Sequence, residues 1–406
     1  MSHSGHKSKV ATAGLPETAP YVDEALRQSG IDPDRLSIVK LGTVHRFPSA
    51  PPWLVRLAIG LALSGAQFFV VSAFPAIPLL LIALLQLVAG LVVLMAACEI
   101  LVTATERLAA RLHWNHYTAG TVAEILSTTP ELVVIAFIIP VSPLTAFVIA
   151  LITIYNNALV FSLYSYFLPK DKYGKYLMPV PITEAGTQIL IAGAAMGLIL
   201  GLVMLTFSSS GQEKNAFDAI DLVFVSLVLL CIFGVYVYKL VSSYAEEEEE
   251  VRENLAMSSS DIAQRLDSVY ENIRPSSLRL IVLLFFTGAL GAFIGGHEVS
   301  LFAHIMLSEL QFNPILTALI LALFAGMSEY VILWQSHRKR EYGIALANAF
   351  GGITQVMFLV LPYTLFCIAL YQTFLNPAHP ELPLQFTVSN MLLLLFLFPT
   401  FYTFSS

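Results

Sequence analysis

The sequence predicts an all-α, polytopic membrane protein of about ten transmembrane helices built from two inverted repeats. Three observations carry this. Apolar runs of about 20 residues recur from Trp53 to the end, basic residues gather on alternate connections, and one glutamate-to-amide spacing occurs twice. Composition agrees, because 57% of the 406 residues are hydrophobic and only 12% are charged. A soluble domain carries roughly a quarter charged residues. A membrane barrel would need alternating segments of about ten residues, whereas these runs are apolar on every face and rich in Leu, Ala, Ile and Gly.

In chain order the spans are predicted at 53–74, 76–105, 118–139, 144–168, 182–207, 216–241, 280–310, 315–334, 342–371 and 385–402. Nearly all can cross about 30 Å of hydrocarbon as a helix. The chain then divides into a tail (1–52), a leading helix (53–75), a first repeat of five helices (76–241), an acidic linker helix (242–277) and a second repeat (278–406). The second repeat offers four helices, one fewer than the first, as though a last one were missing. The tail has no apolar core of a cleavable signal.

Ten spans place successive connections on alternating sides. Of the 21 Lys and Arg residues, all but Lys214 fall on one side. Basic residues prefer the cytoplasmic ends of spans, so the tail and the linker are predicted to be cytoplasmic, in a cell membrane or an organelle membrane. The linker around Glu246-Glu247-Glu248-Glu249-Glu250 favours helix and contributes much of the net charge of -7. It suits either a solvated spacer or a helix that attracts cations toward a pore mouth. Cys98, Cys231 and Cys367 sit inside apolar runs without disulfide or metal spacing. The expected surroundings are a lipid bilayer and no nucleic acid, with self-association left open.

Glu131 is followed 26 residues later by Asn157, and Glu329 is followed 26 residues later by Gln355. Upstream, Glu99-Ile100-Leu101-Val102-Thr103-Ala104 is similar to Glu298-Val299-Ser300-Leu301-Phe302-Ala303. By the span count, the helices carrying Glu131 and Glu329 run in opposite directions. Inverted repeats of this kind build a midplane site in secondary transporters, opened to either face by rocking one half against the other.

Pro130 removes a backbone donor beside Glu131 and frees a carbonyl. Gly326 and Ser328 keep the surroundings of Glu329 small. A carboxylate at such depth costs several kcal/mol unless it faces water, a partner or a proton. The central spans offer no Lys or Arg, so a divalent cation could supply the missing charge. Ca²⁺ takes six to eight oxygens. Glu131, Glu329, Asn157, Gln355, Thr128, Thr129 and Ser328 are the candidate donors, with protons able to replace the ion on the two carboxylates. No resident cofactor is expected, since the cation is cargo.

Asn157 and Gln355 would also serve as hydrogen-bonding glue between helices. Glu99 and Glu298 suit supporting or interfacial positions equally. Glu124 shares a helix face with Glu131, seven residues away, and is an entrance acid or an interface residue. His297 and His304 suit proton relay or simple hydrogen bonding. An intramembrane enzyme would need a nucleophile with a base, or a metal cluster, at catalytic spacing. None is visible, so no enzymatic activity is expected.

These residues resemble the cation/calcium antiporter superfamily, also called the sodium/calcium exchanger family, and most of all its calcium/proton exchanger branch. Thr128-Thr129-Pro130-Glu131 looks like the proline–glutamate form of the first repeat, and Ile152-Thr153-Ile154-Tyr155-Asn156-Asn157 is similar to the segment ending in Ser-Asn. Gly351-Gly352-Ile353-Thr354-Gln355-Val356 is similar to the pattern ending in Thr-Gln, and an acidic cytoplasmic helix is a trait of that branch. The likeness runs from about Ala76 to Tyr402. Ser328 and Tyr330 depart from the usual neighbours of the second glutamate. The resemblance implies Ca²⁺ exchanged for H⁺ by alternating access, with Glu131 and Glu329 binding the ion and Asn157, Gln355 and nearby backbone assisting. Na⁺/Ca²⁺ exchange, or a non-transporting scaffold of the same fold, are the alternatives.

Overall fold

The structure, a computed structural model, describes residues 51–73, 77–112, 114, 116–167, 180–209, 219–258, 276–338, 342–375 and 388–405. All regular structure among them is helical. The predicted tail falls outside the described residues except at its last two positions.

Helices α1 (Pro52–Ala73) and α2 (Leu79–Leu112) lead into a span broken in two, α3 (His116–Ser127) and α4 (Thr129–Ile138). Then come α5 (Pro143–Ser165), α6 (Val180–Ser209) and α7 (Ala219–Ser258). The second half opens with α8 (Leu278–His304), passes through another broken span, α9 (Pro314–Ala325) and α10 (Met327–Arg338), and finishes with α11 (Tyr342–Gln355), α12 (Leu361–Leu370) and α13 (Val388–Ser405). A π-helical turn, Val356–Val360, joins α11 to α12. Two others extend α8 and α12, at Ile305–Glu309 and Tyr371–Leu375.

Among the described residues seven stretches are long and apolar enough to cross a membrane. The 22-residue α1 and the shorter apolar segments Pro314–Ala325 and Met391–Thr403 account for the other three predicted spans. The spans at 118–139 and 315–334 are each a pair of short helices, the first divided beside Pro130 as its missing donor leads one to expect. Residue 242, where the acidic linker was expected to begin, lies inside the 40-residue α7, which carries the acidic run as an unbroken continuation.

Local chemistry explains the helix starts. Ser142 accepts a hydrogen bond from the Thr145 backbone at 3.2 Å ahead of Pro143, and Asn313 accepts from Ile315 N at 2.9 Å ahead of Pro314. A side-chain acceptor followed by proline satisfies orphan donors and presets φ for the first turn.

The most extensive helix pairing is between α2 and α8. Gly288, Gly291 and Gly295 share one face of α8 and meet Leu101, Ala97 and the Gly90 carbonyl of α2. Side chains this small let two long helices approach backbone to backbone, the dominant source of attraction between helices in lipid. α1 clasps the same pair from outside, with Arg56 bridging to Glu99 of α2 and Gln67 donating to Glu298 of α8. The two halves also cross over at the centre, α11 packing on α3 and α9 on α5.

The helices bearing the two amides are the most enclosed. Within their apolar windows 67% (Pro143–Ser165) and 72% (Asn348–Leu375) is buried, against 28–50% elsewhere. Outer helices turn large apolar side chains outward, among them Leu80, Leu84 and Val88 on α2 and Val282, Phe286 and Phe293 on α8. Exposure of this kind, continuous along helix faces, suits hydrocarbon and not water.

Candidate functional site

Each half breaks a helix three residues ahead of its glutamate. Thr128 separates α3 from α4 and Gly326 separates α9 from α10. Pro130 explains the first break, since it cannot donate to the carbonyl four residues back. In the second break Gly326 sits at φ -75°, ψ 4°, outside the helical region, and its N–H turns to the Phe324 carbonyl. Glu131 and Glu329 therefore occupy the first turns of short helices. Free N–H groups and the helix dipole favour negative charge at such ends.

Both side chains are deeply buried, Glu131 at 3% and Glu329 at 5% exposure. They lie within electrostatic reach of one another. Thr153 lies beside Glu131, its hydroxyl donating to the Ile149 carbonyl at 2.9 Å, and the Asn157 amide lies beside Glu329. Asn157 Nδ2 also donates to the Gly352 carbonyl at 3.1 Å, so the amide of the first half touches the backbone of the second. Thr128 makes the reciprocal link, its hydroxyl donating to Gln355 Oε1 at 2.7 Å. Asn348 Nδ2 donates to the Glu329 carbonyl at 3.1 Å and fixes the start of α10.

The bare backbone of Gly352 permits this convergence. A methyl group there would lie 2.8 Å from Glu329 Oε2 and 3.1 Å from Asn157 Nδ2. Among the described residues, Glu131 Oε1, Glu329 Oε1, Asn157 Oδ1 and Asn348 Oδ1 are buried without a hydrogen-bond partner. Oxygens with spare lone pairs on these neighbouring buried side chains are acceptors suited to a cation. The described residues contain no cluster of three His, Cys, Asp or Glu side chains of metal-binding form, so the oxygens come from two carboxylates with amides and hydroxyls.

The structure thus gathers Glu131, Glu329, Asn157, Gln355 and Thr128. Thr129 opens α4 and is half-buried, while the side chain of Ser328 lies outside what the structure describes. Sequence reasoning assigned no role to Thr153, Gly352 or Asn348. Thr153 was findable, because it stands one helical turn before Asn157. Asn348 had no signal beyond being a polar residue in an apolar span. Glu131 also lines a small cavity with Leu94, Met95, Val299, Leu321 and Phe324, between α2, α4, α8 and α9.

Comparisons with known proteins give three likenesses. The family model described as sodium/calcium exchanger protein matches residues 279–406. The crystal structure of the H⁺/Ca²⁺ exchanger CAX superposes on 79% of this chain and 76% of its own with a TM-score of 0.51 at 12% identity, a likeness of fold. The sodium-calcium exchanger NCX_Mj aligns with 79% of this chain and 97% of its own, with a TM-score of 0.44 at 14% identity. No curated protein matches in sequence.

Proposed function

We propose that the chain is a secondary antiporter carrying Ca²⁺ in exchange for H⁺, a reading supported by the match of residues 279–406 to the sodium/calcium exchanger family model. One observation carries the reading. Two buried carboxylates from different halves, Glu131 and Glu329, sit at matched helix breaks within electrostatic reach, each with an oxygen lacking a donor among the described residues. In a low-dielectric interior two such charges repel strongly, so the pair holds either a divalent cation or protons. That mutual exclusion is the elementary step of exchange.

In this reading Glu131 and Glu329 bind the ion, and Asn157, Gln355, Thr128, Thr129, Ser328 and the unwound carbonyls complete its shell. The repeats are inverted, and the two halves rock about the crossed packing of α3 with α11 and α5 with α9. The tail and the acidic end of α7 face the cytoplasm. The chain transports and does not catalyse.

Purified protein in liposomes, loaded with ⁴⁵Ca²⁺ under an imposed pH gradient, tests the proposal. Uptake that follows the proton gradient and vanishes in Glu131→Gln and Glu329→Gln supports it. Uptake unaffected by either substitution overturns it. The Thr128-Thr129-Pro130-Glu131 form favours a second reading, Na⁺ as the counter-ion, and a sodium gradient applied to the same vesicles decides between the two.

A further inference from the structure

A third carboxylate lies beyond the pair. Glu124, on α3, is 4% exposed and lies within electrostatic reach of Glu329. It lines a separate small cavity between α3, α7 and α11 with Thr121, Phe233, Tyr236, Phe350, Thr354 and Gln355. Its Oε1 is buried and has no hydrogen-bond partner among the described residues. A carboxylate acting as glue between helices would bring donors to both oxygens. This one presents a free acceptor to an enclosed space.

The fold makes room for it. Thr153 and Gly351 are counterparts, each 22 residues after its own glutamate. In the first half the Thr153 side chain flanks Glu131, whereas in the second the side chain is absent, and the Glu124 carboxyl rests against the gap. A methyl group on Gly351 would collide with both of its oxygens. The counterpart of Glu124, seven residues before Glu329, is the fully buried Ala322. The third acid therefore exists on one side of the pair only. By the span count, α3 enters the membrane from the side on which α7 ends, and Glu124 stands two turns before Glu131 in that direction. This is therefore the side toward which α7 runs into its acidic segment; α7 lines the cavity through Phe233, Tyr236, Val237 and Leu240.

We propose that Glu124, with Thr121, Tyr236, Thr354 and Gln355 around this cavity, forms a second station for the transported cation, on the side of the Glu131–Glu329 pair nearer the acidic end of α7. The inference rests on the antiport reading and adds a place where the ion waits. Its donors are one carboxylate, three hydroxyls and one amide oxygen, fewer and less charged than Ca²⁺ takes in a tight site. The cavity holds about 10 Å³, room for one ion or one water, so the ion stays under-coordinated there, is held more weakly than at the pair and is released onward. Gln355 belongs to both places, because its Oε1 already receives the Thr128 hydroxyl that borders the central site.

Equilibrium ⁴⁵Ca²⁺ binding to the purified full chain tests this, run beside one-sided transport in liposomes. Wild type shows a tight and a weak class of sites. Glu124→Gln removes the weak class, keeps the tight one, and raises half-saturating Ca²⁺ about tenfold only when the ion is offered from the α7 acidic side, the loss expected of one carboxylate ligand. Gly351→Ala, which displaces the same carboxyl from across the cavity, has the same effect, so a folding defect in one variant leaves the other decisive. A weak class that survives both substitutions overturns the proposal. The central reading fails separately, through Glu131→Gln and Glu329→Gln leaving the tight class intact.

Discussion

The hydroxyl of Thr128 donates to Oε1 of Gln355 at 2.7 Å, joining the helix break of one half to the amide of the other. Both residues are almost fully enclosed. A motion that separates the halves at this point must exchange that bond for another. It follows that Thr128→Val leaves a buried acceptor without its donor and lowers stability by about 1 kcal/mol, moderated because an inserted but unpacked chain also finds partners. A fall in the thermal midpoint of the detergent-solubilised protein, restored by Thr128→Ser, is the expected result.

Neutralising either central glutamate removes half the charge that a divalent ion meets. Glu131→Gln or Glu329→Gln is expected to cut Ca²⁺ flux by at least about 100-fold, since affinity tracks ligand charge count. Both variants should still insert and elute as the wild type does on size exclusion. Flux within a few-fold of normal in either one contradicts the assignment.

At Gly352 the requirement is steric. Gly352→Ala brings a methyl group to 2.8 Å from Glu329 Oε2, so the carboxyl must shift and Ca²⁺ affinity should fall about tenfold or more. Gly65→Ala, where nothing lies within 4 Å of the added carbon, is the control and should leave binding unchanged.

Replacing Glu246 to Glu250 with Gln examines the acidic end of α7. At low ionic strength the apparent KM for Ca²⁺ should rise several-fold. Near 1 M salt, where the screening length is about 3 Å, the difference should disappear. Identical kinetics under both conditions would make the segment a spacer.

The orientation has its own check. In a cysteine-free background, Lys214→Cys should react with an impermeant maleimide from the side opposite to Arg338→Cys, because the span count assigns them to different faces. Labelling from one side alone would change the number of spans between them.

Much of this architecture was legible because lipid leaves few choices: a spanning chain without barrel alternation must be helical, and about 20 apolar residues set each span. The repeated spacing of Glu131 to Asn157 and of Glu329 to Gln355 was visible, but it did not show that Asn157 would stand beside Glu329 and Gln355 beside Thr128, across the halves. The second helix break was harder to see. Pro130 announces the first, but Gly326 is one small residue among many, and its non-helical ψ comes from its surroundings. The π turn after Gln355 left no sequence mark either. Periodicity put Glu124 near Glu131 on the chain, but it could not show that the Glu124 carboxyl packs against the bare backbone of Gly351, which comes from the other half.

The length of α7 has a mechanical consequence. Forty residues at 1.5 Å each make a rod of about 60 Å, twice the hydrocarbon thickness. Being one continuous helix, it has no joint at the membrane surface to absorb rotation. Tilting the rod by about ten degrees about its buried end would sweep the far tip sideways by roughly 10 Å, with its acidic residues, so rearrangement inside the bilayer is legible outside it as displacement of charge. A binding protein, or a bulky tag, that grips the tip would act as a brake on the transport cycle without touching the ion's path.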